Sequence, residues 1–249
     1  MLNTTMNKQQ LNELFCGIGY KVFKDVVDPA IIDKINKKTE LLVPHRGHAM
    51  DHKYYTADKV AECKDLAVWW SQELSGWPEV QEVTRQLINT VGILFDEPDS
   101  YIADIITNEP GNTHIKPHID SPYRFPKWWN EDELLGIQCI LPLCEFTSKN
   151  GGTGLLPNSH NTRWVVKDSY AGKYNEEFLA GVEQPKMSPG DALIYHPRTL
   201  HSTMPNNTDV SRRALLVHIT SKEMARLLQA EDTIWQEESK KMSSMSTKY

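Results

Sequence analysis

The run THIKPHID (113–120) decides the reading of this chain. Apolar and polar residues alternate through it, as they do in a β-strand, where residues two apart project from one face. His118 and Asp120 therefore stand side by side, and His114 and Lys116 share their parity. A third candidate ligand, His201, lies far downstream and must be brought in from elsewhere in the fold. Two imidazoles and one carboxylate make the facial set that holds Fe(II) in non-haem oxygenases. These ligands are harder than thiolate, so they hold Fe(II) while leaving it oxidisable. Bound on one face, they leave three positions for a cosubstrate and O2.

Outward from that run, the pattern from Tyr101 is one of short alternating segments separated by turn residues. They fall at 101–107, 113–119, 136–144, 153–157, 163–167, 181–187, 191–195, 199–205 and 212–219. Upstream, the spacing predicts a polar helix over 7–15, a strand at GYKVF (19–23) and a helix opened by Asp28-Pro29 and running to about 41. Apolar residues at helical spacing mark further helices at 65–74 and 79–95. The intervening stretch 43–62 carries His45, His48 and His52 without a clear period, and reads as a loop rather than a second metal cluster. A last helix is expected over 221–236, followed by a disordered tail. Helices first and many short strands afterwards predict a mainly β fold with flanking helices, built on a double-stranded β-helix (jelly-roll, cupin-like) core. The whole chain, 1–249, reads as one domain: a helical buttress over about 1–98, the core over about 99–220, and a C-terminal helix and tail over 221–249.

Composition fits that reading. With 39% hydrophobic residues and seven Trp, the 249 residues can bury a core of single-domain size. Against 33 Asp and Glu stand 27 Lys and Arg, a net charge of −6 with no long basic run, which argues against a nucleic-acid partner. No run of 18 apolar residues exists to span a membrane, and MLNTTMNKQQ at the start lacks the apolar stretch of a signal peptide. Cys16, Cys63, Cys139 and Cys144 form no C-x-x-C. Reduced thiols and a site for Fe(II) both suit the cytoplasm.

Two further segments, NGGTGLLPNSH (150–160) and SPGDALIYHPRTLH (188–201), resemble the signature stretches of the phytanoyl-CoA dioxygenase family. The first matches an N-G turn that leads into a strand and ends P-G-S-H. The second matches P-G-D, a short apolar strand and the second iron histidine, followed downstream by an arginine, as Arg212 follows His201. Asn158 stands where the family usually has Gly; Asn also tolerates a left-handed turn. The resemblance extends over about residues 15–220 and is tight from about 101. It implies an Fe(II)- and 2-oxoglutarate-dependent dioxygenase that consumes O2, releases succinate and CO2, and hydroxylates a small or medium-sized metabolite. His118, Asp120 and His201 would be the metal ligands, and Thr203 a hydroxyl near the distal carboxylate of 2-oxoglutarate.

Alternation in RRALLVHIT (212–220) separates two neighbouring arginines. Arg213, Leu215, Val217 and Ile219 share the more apolar face, whereas Arg212, Ala214, Leu216 and His218 share a face suited to lining a cavity. Arg212 is therefore assigned to the distal carboxylate, which its guanidinium fork can bind through two parallel hydrogen bonds. Gln138 on a central strand is a candidate donor to the cosubstrate or to a backbone carbonyl. His160, His196 and His218 read as structural or supporting residues. Tyr123, Arg124 and Trp128, in DSPYRFPKWW (120–129), form either a substrate mouth or a lid packed by its own aromatics. Related halogenases have a small residue in place of the carboxylate ligand, so Asp120 favours hydroxylation over halogenation, with desaturation and cyclisation left open. A protein side-chain hydroxylase, such as a prolyl hydroxylase, and a non-catalytic jelly-roll binding module are the alternative readings.

Overall fold

A computed structural model of the chain describes residues 7–40, 45–46, 66–69, 74, 76–112, 117–123, 125–128, 132–162 and 175–231. Its strands are β1 (Tyr20–Phe23), β2 (His45–Arg46), β3 (Leu66–Trp69), β4 (Pro98–Asn108), β5 (Gly136–Pro142), β6 (Thr153–Leu155), β7 (Ala192–Tyr195), β8 (His201–Thr203) and β9 (Arg212–Ser221). Seven of them form an antiparallel sheet in the order β1-β7-β5-β9-β4-β3-β2. β6 and β8 form a second, smaller sheet, extended by single bridges from His118 to His201 and from Leu155 to Glu183.

The two faces of the large sheet have different tasks. Ile137, Cys139 and Leu141 of β5 and Leu215, Val217 and Ile219 of β9 point outward, into a cluster with Leu11, Phe15, Ile32, Ile35, Val80, Val83 and Leu87. Those partners come from three helices, α1 (Lys8–Cys16), α2 (Pro29–Thr39) and α3 (Pro78–Val91). Val80, Val83, Leu87 and Val91 of α3 recur at helical spacing and are all buried, each contributing about 1.5–3 kcal/mol by leaving water. α2 begins as its sequence predicts: the Asp28 carboxylate accepts a hydrogen bond from the Ala30 N–H at 2.9 Å, and Pro29 occupies the first turn. On the inner face Tyr20, Ile140, Leu193, Tyr195 and Ala214 meet Phe146, Leu155 and Met187, so β6 closes the sandwich. The far side of the small sheet is covered by α4 (Asn175–Gly181), whose Phe178 packs with Ile119, Tyr123, Leu200 and Met204.

The expected jelly-roll layering is present, with local departures, one being that His45–Arg46, expected within a loop, form β2 and pair with Ala67–Val68 of β3. Residues 66–69, expected within a helix over 65–74, form β3 and pair with Ile105–Asn108 of β4. Short apolar runs do not distinguish helix from strand by period alone, and the long strand β4 offers an edge that β3 completes. The helical buttress therefore also contributes β1, β2 and β3 to the large sheet. The strand expected over 181–187 is instead the end of α4 followed by bridges at Glu183 and Met187. The final helix is described over 222–231. The expected strand at 163–167, together with His48, His52, His114, Lys116 and Arg124, lies outside the described residues. Among the described residues, no helix is long and apolar enough to cross a membrane.

Candidate metal centre

The fold brings His118, Asp120 and His201 together, with candidate ligand atoms all within 4.8 Å of one another. The junction is made by backbone: the His118 N–H donates to the His201 carbonyl at 2.9 Å, and the His201 N–H returns the bond at 3.1 Å. The Asp120 N–H donates to the Pro197 carbonyl at 2.8 Å, which ties the same segment to the turn before β8. These bonds fix the Cα positions of the three candidate ligands. His201 is deeply buried, while the His118 and Asp120 side chains are 25% and 20% exposed, so the cluster has one open side.

The donor set suits a divalent cation. His201 Nδ1 lies 2.9 Å from the Thr199 carbonyl, which can only accept, so Nδ1 carries a proton and Nε2 is left as the ligand atom. Nε2 faces Asp120 Oδ2 at 3.2 Å, and His118 Nε2 lies 3.8 Å from Asp120 Oδ1. Lone pairs held this close repel unless a proton or a cation lies between them. Burial alone would lower the proton affinity of His201, but the Asp120 charge and hydrogen bond, with help from the Thr199 carbonyl, outweigh it and raise the pKa.

Arg212 leaves β9 on the inner face, as alternation predicts, while Arg213 turns to the helix layer and donates to Thr39 Oγ1 at 3.2 Å. Arg212 is buried, and its Nε and Nη2 donate to the Gly151 carbonyl at 3.0 and 2.7 Å. The guanidinium also lies 4.7 Å from the centre of the Phe146 ring. Burial lowers its pKa to about 10, so it remains a cation at neutral pH. Among the described residues no carboxylate pairs with it. The turn that receives it is tightly built: Gly151 has φ +73°, and a Cβ there would lie 2.1 Å from Asn108 Nδ2 and 2.3 Å from the Met204 carbonyl oxygen. Downstream, Asn158 has φ +61°, the left-handed conformation its position calls for.

Thr203 lies two residues beyond His201 on β8 and so shares its face, opposite Thr153 of β6. Gln138 is paired across the large sheet with both Tyr195 and His218, on the inner face. Tyr123 and Trp128 are buried, and the Tyr123 hydroxyl donates to the Glu133 carbonyl at 2.5 Å and accepts from the Leu135 N–H at 2.9 Å. The Tyr123 ring stacks on His196 with centroids 5.1 Å apart, and the Arg198 guanidinium lies 4.3 Å from its centre. One residue at the centre was missed by the sequence reading. Tyr195 reaches the cluster from β7, and its only signal in the sequence was its parity on an apolar strand close to His201.

Comparison with known proteins agrees with this architecture. The phytanoyl-CoA dioxygenase family model matches residues 15–214. The dioxygenase andF of Emericella variicolor is 36% identical over 112 residues, covering 44% of this chain and 36% of its own length. The dioxygenase trt7 of Aspergillus terreus is 21% identical over 227 residues, covering 86% of this chain and 73% of its own length. Thus the chain spans little more than a third of one curated relative and most of the other. The crystal structure of HygX from Streptomyces hygroscopicus with nickel and 2-oxoglutarate bound superposes with a TM-score of 0.65 at 11% identity, over 87% of this chain and 88% of that one. The epimerase SnoN from nogalamycin biosynthesis gives 0.65 at 15% identity, over 86% and 83%. At these identities the structural likeness concerns the fold.

Proposed function

The chain belongs to the phytanoyl-CoA dioxygenase family, and from that premise we propose that it is an Fe(II)- and 2-oxoglutarate-dependent dioxygenase that hydroxylates a small or medium-sized metabolite. One observation carries the assignment: a buried arginine without a carboxylate partner among the described residues lies on the same interior as a two-histidine, one-carboxylate cluster. An unpaired buried charge costs several kcal/mol, and an anionic cosubstrate relieves it. His118, Asp120 and His201 hold the metal, and Arg212 takes the distal carboxylate of 2-oxoglutarate, with the Thr203 hydroxyl on the wall that carries His201.

When bound, the iron with 2-oxoglutarate and O2 supplies the oxidising chemistry, giving succinate, CO2 and a hydroxylated substrate carbon. The chain's own residues orient and shield. Thr199 fixes the His201 tautomer; Gly151 and Phe146 hold the guanidinium plane of Arg212; Ile140, Leu193 and Leu155 keep the inner face between the sheets apolar. The packed Tyr123–His196–Arg198 stack closes the segment after Asp120 against the turn before β8. A small-molecule substrate is favoured by the neighbours of known structure, one of which holds hygromycin B. Free thiols at Cys139 and Cys144 fit a reducing compartment, and we place the enzyme in the cytoplasm.

The test is anaerobic titration of Fe(II)-loaded protein with 2-oxoglutarate. We expect a weak visible metal-to-ligand charge-transfer band that saturates, and no band in His118→Ala protein that still folds. Metal-loaded wild-type protein without the band would overturn the assignment and favour a binding module.

A further inference from the structure

Tyr195 ends β7 with its side chain on the inner face of the large sheet, fully buried among Leu193, Ile140, Phe146 and Leu155. Its hydroxyl crosses to the small sheet, where it donates to Asp120 Oδ2 at 3.1 Å and lies 3.1 Å from His201 Nε2. A phenol, with an ordinary pKa of about 10, is a neutral O–H donor at neutral pH. A phenol in such a cluster is costly to bury without a partner, and the partner it finds is a ligand atom of the centre.

We propose that Tyr195 is a positioning residue of the metal-binding carboxylate. The χ2 torsion of an aspartate has broad, shallow wells, so Asp120 alone does not hold its carboxylate plane. The Asp120 side chain is also partly exposed, with water free to compete for its oxygens. The hydrogen bond from Tyr195 is anchored on the rigid large sheet and removes that freedom. His201 has a corresponding anchor in the Thr199 carbonyl, so each of these two ligands is oriented by its own partner. With His201 Nε2 serving as a ligand atom, its lone pair would no longer be open to the phenol, and Asp120 Oδ2 would be the acceptor for the single phenolic proton.

This inference rests on the metal-centre reading, and the experiment separates the two. Wild-type and Tyr195→Phe protein are titrated anaerobically with Co(II), following its visible d–d spectrum and, separately, the thermal midpoint of the metal-free protein. If wild-type protein binds no Co(II), the metal-centre reading itself fails. Otherwise we expect Tyr195→Phe to weaken Co(II) binding about 10- to 100-fold and to shift the d–d bands, as losses of ligand-supporting partners do. The metal-free thermal midpoint should stay within a few degrees. Site-specific 3-fluorotyrosine at position 195 keeps the shape while making the O–H more acidic, so it serves if the Phe variant does not fold, and it too should shift affinity and bands. Co(II) affinity and spectrum unchanged in both variants would overturn the proposal. So would an intense phenolate-to-metal band in Fe(III)-loaded wild type that Tyr195→Phe abolishes, because Tyr195 would then be a ligand itself.

Discussion

Arg212 and Arg213 are neighbours in the chain and opposites in the fold. One is buried against the Gly151 carbonyl and the Phe146 ring; the other reaches Thr39 in the helix layer. Charge-assisted hydrogen bonds contribute about 1.5–3 kcal/mol each, so Arg212→Ala should weaken 2-oxoglutarate binding by roughly 10- to 100-fold or more. Arg212→Lys, which keeps the charge and loses the fork, should fall between it and wild type. Arg213→Ala should stay within about twofold, because its contacts lie on the far side of the sheet. The charge-transfer band in an anaerobic titration measures all three, and the reverse ranking of the two alanine variants would remove Arg212 from the site. The face of each arginine was legible because strand parity is a local property of the sequence. The role of Tyr195 was not, because its partner Asp120 lies 75 residues away and only the packed sandwich brings them together.

At the scale of elements, the turn after β5 matters more than its length implies. Asn150 fastens its start, with Oδ1 accepting from the Thr147 N–H at 2.8 Å and Nδ2 donating to the Glu145 carbonyl at 2.6 Å. Gly151 then turns left-handed between Asn108 and Met204 and offers its carbonyl to Arg212. Gly151→Ala meets both a left-handed backbone and a backbone oxygen at 2.3 Å, and should cost about 2–4 kcal/mol in urea unfolding. The same variant should weaken 2-oxoglutarate binding, since the carbonyl that aligns the guanidinium must move. Full stability with unchanged binding would show that the turn has no part in holding Arg212. The N-G pair marked this turn in the sequence, and alternation marked β4, β5, β7 and β9. β3 escaped because Leu66–Trp69 is a short apolar run whose state is decided by the β4 edge, information that lies outside the run.

At the scale of the whole molecule, three pieces of chain meet at His196. Its N–H donates to the Gly19 carbonyl ahead of β1 at 2.8 Å; its ring stacks on Tyr123 of the segment after Asp120, with centroids 5.1 Å apart; and His160 of the turn after β6 lies 5.4 Å away. Nδ1 accepts the Arg198 N–H at 3.0 Å, which fixes the neutral tautomer. Burial, then the charges of His160 and Arg198, lowers the pKa of His196 from 6.5 to about 3. The sign follows from proton counting. Between those two values the unfolded chain binds a proton that the folded one refuses, so stability falls as pH drops below 6.5 and levels off near 3. The slope for one such proton is about 1.4 kcal/mol per pH unit. His201 acts in the opposite sense, since its pKa is raised by Asp120, and Glu79 and Glu82, held low by Lys38 and Arg85, add slopes of their own. The informative quantity is therefore the difference between wild type and His196→Gln, which removes the His196 titration together with its coupling to His160 and leaves the background common to both proteins. Urea unfolding of the metal-free proteins at pH 6.5 and 4.5 should show wild type losing about 2–3 kcal/mol more than the variant over that interval. Equal losses would mean that the junction opens to admit a proton without unfolding, and that the stack of Tyr123 on His196 does not by itself keep the segment after Asp120 closed.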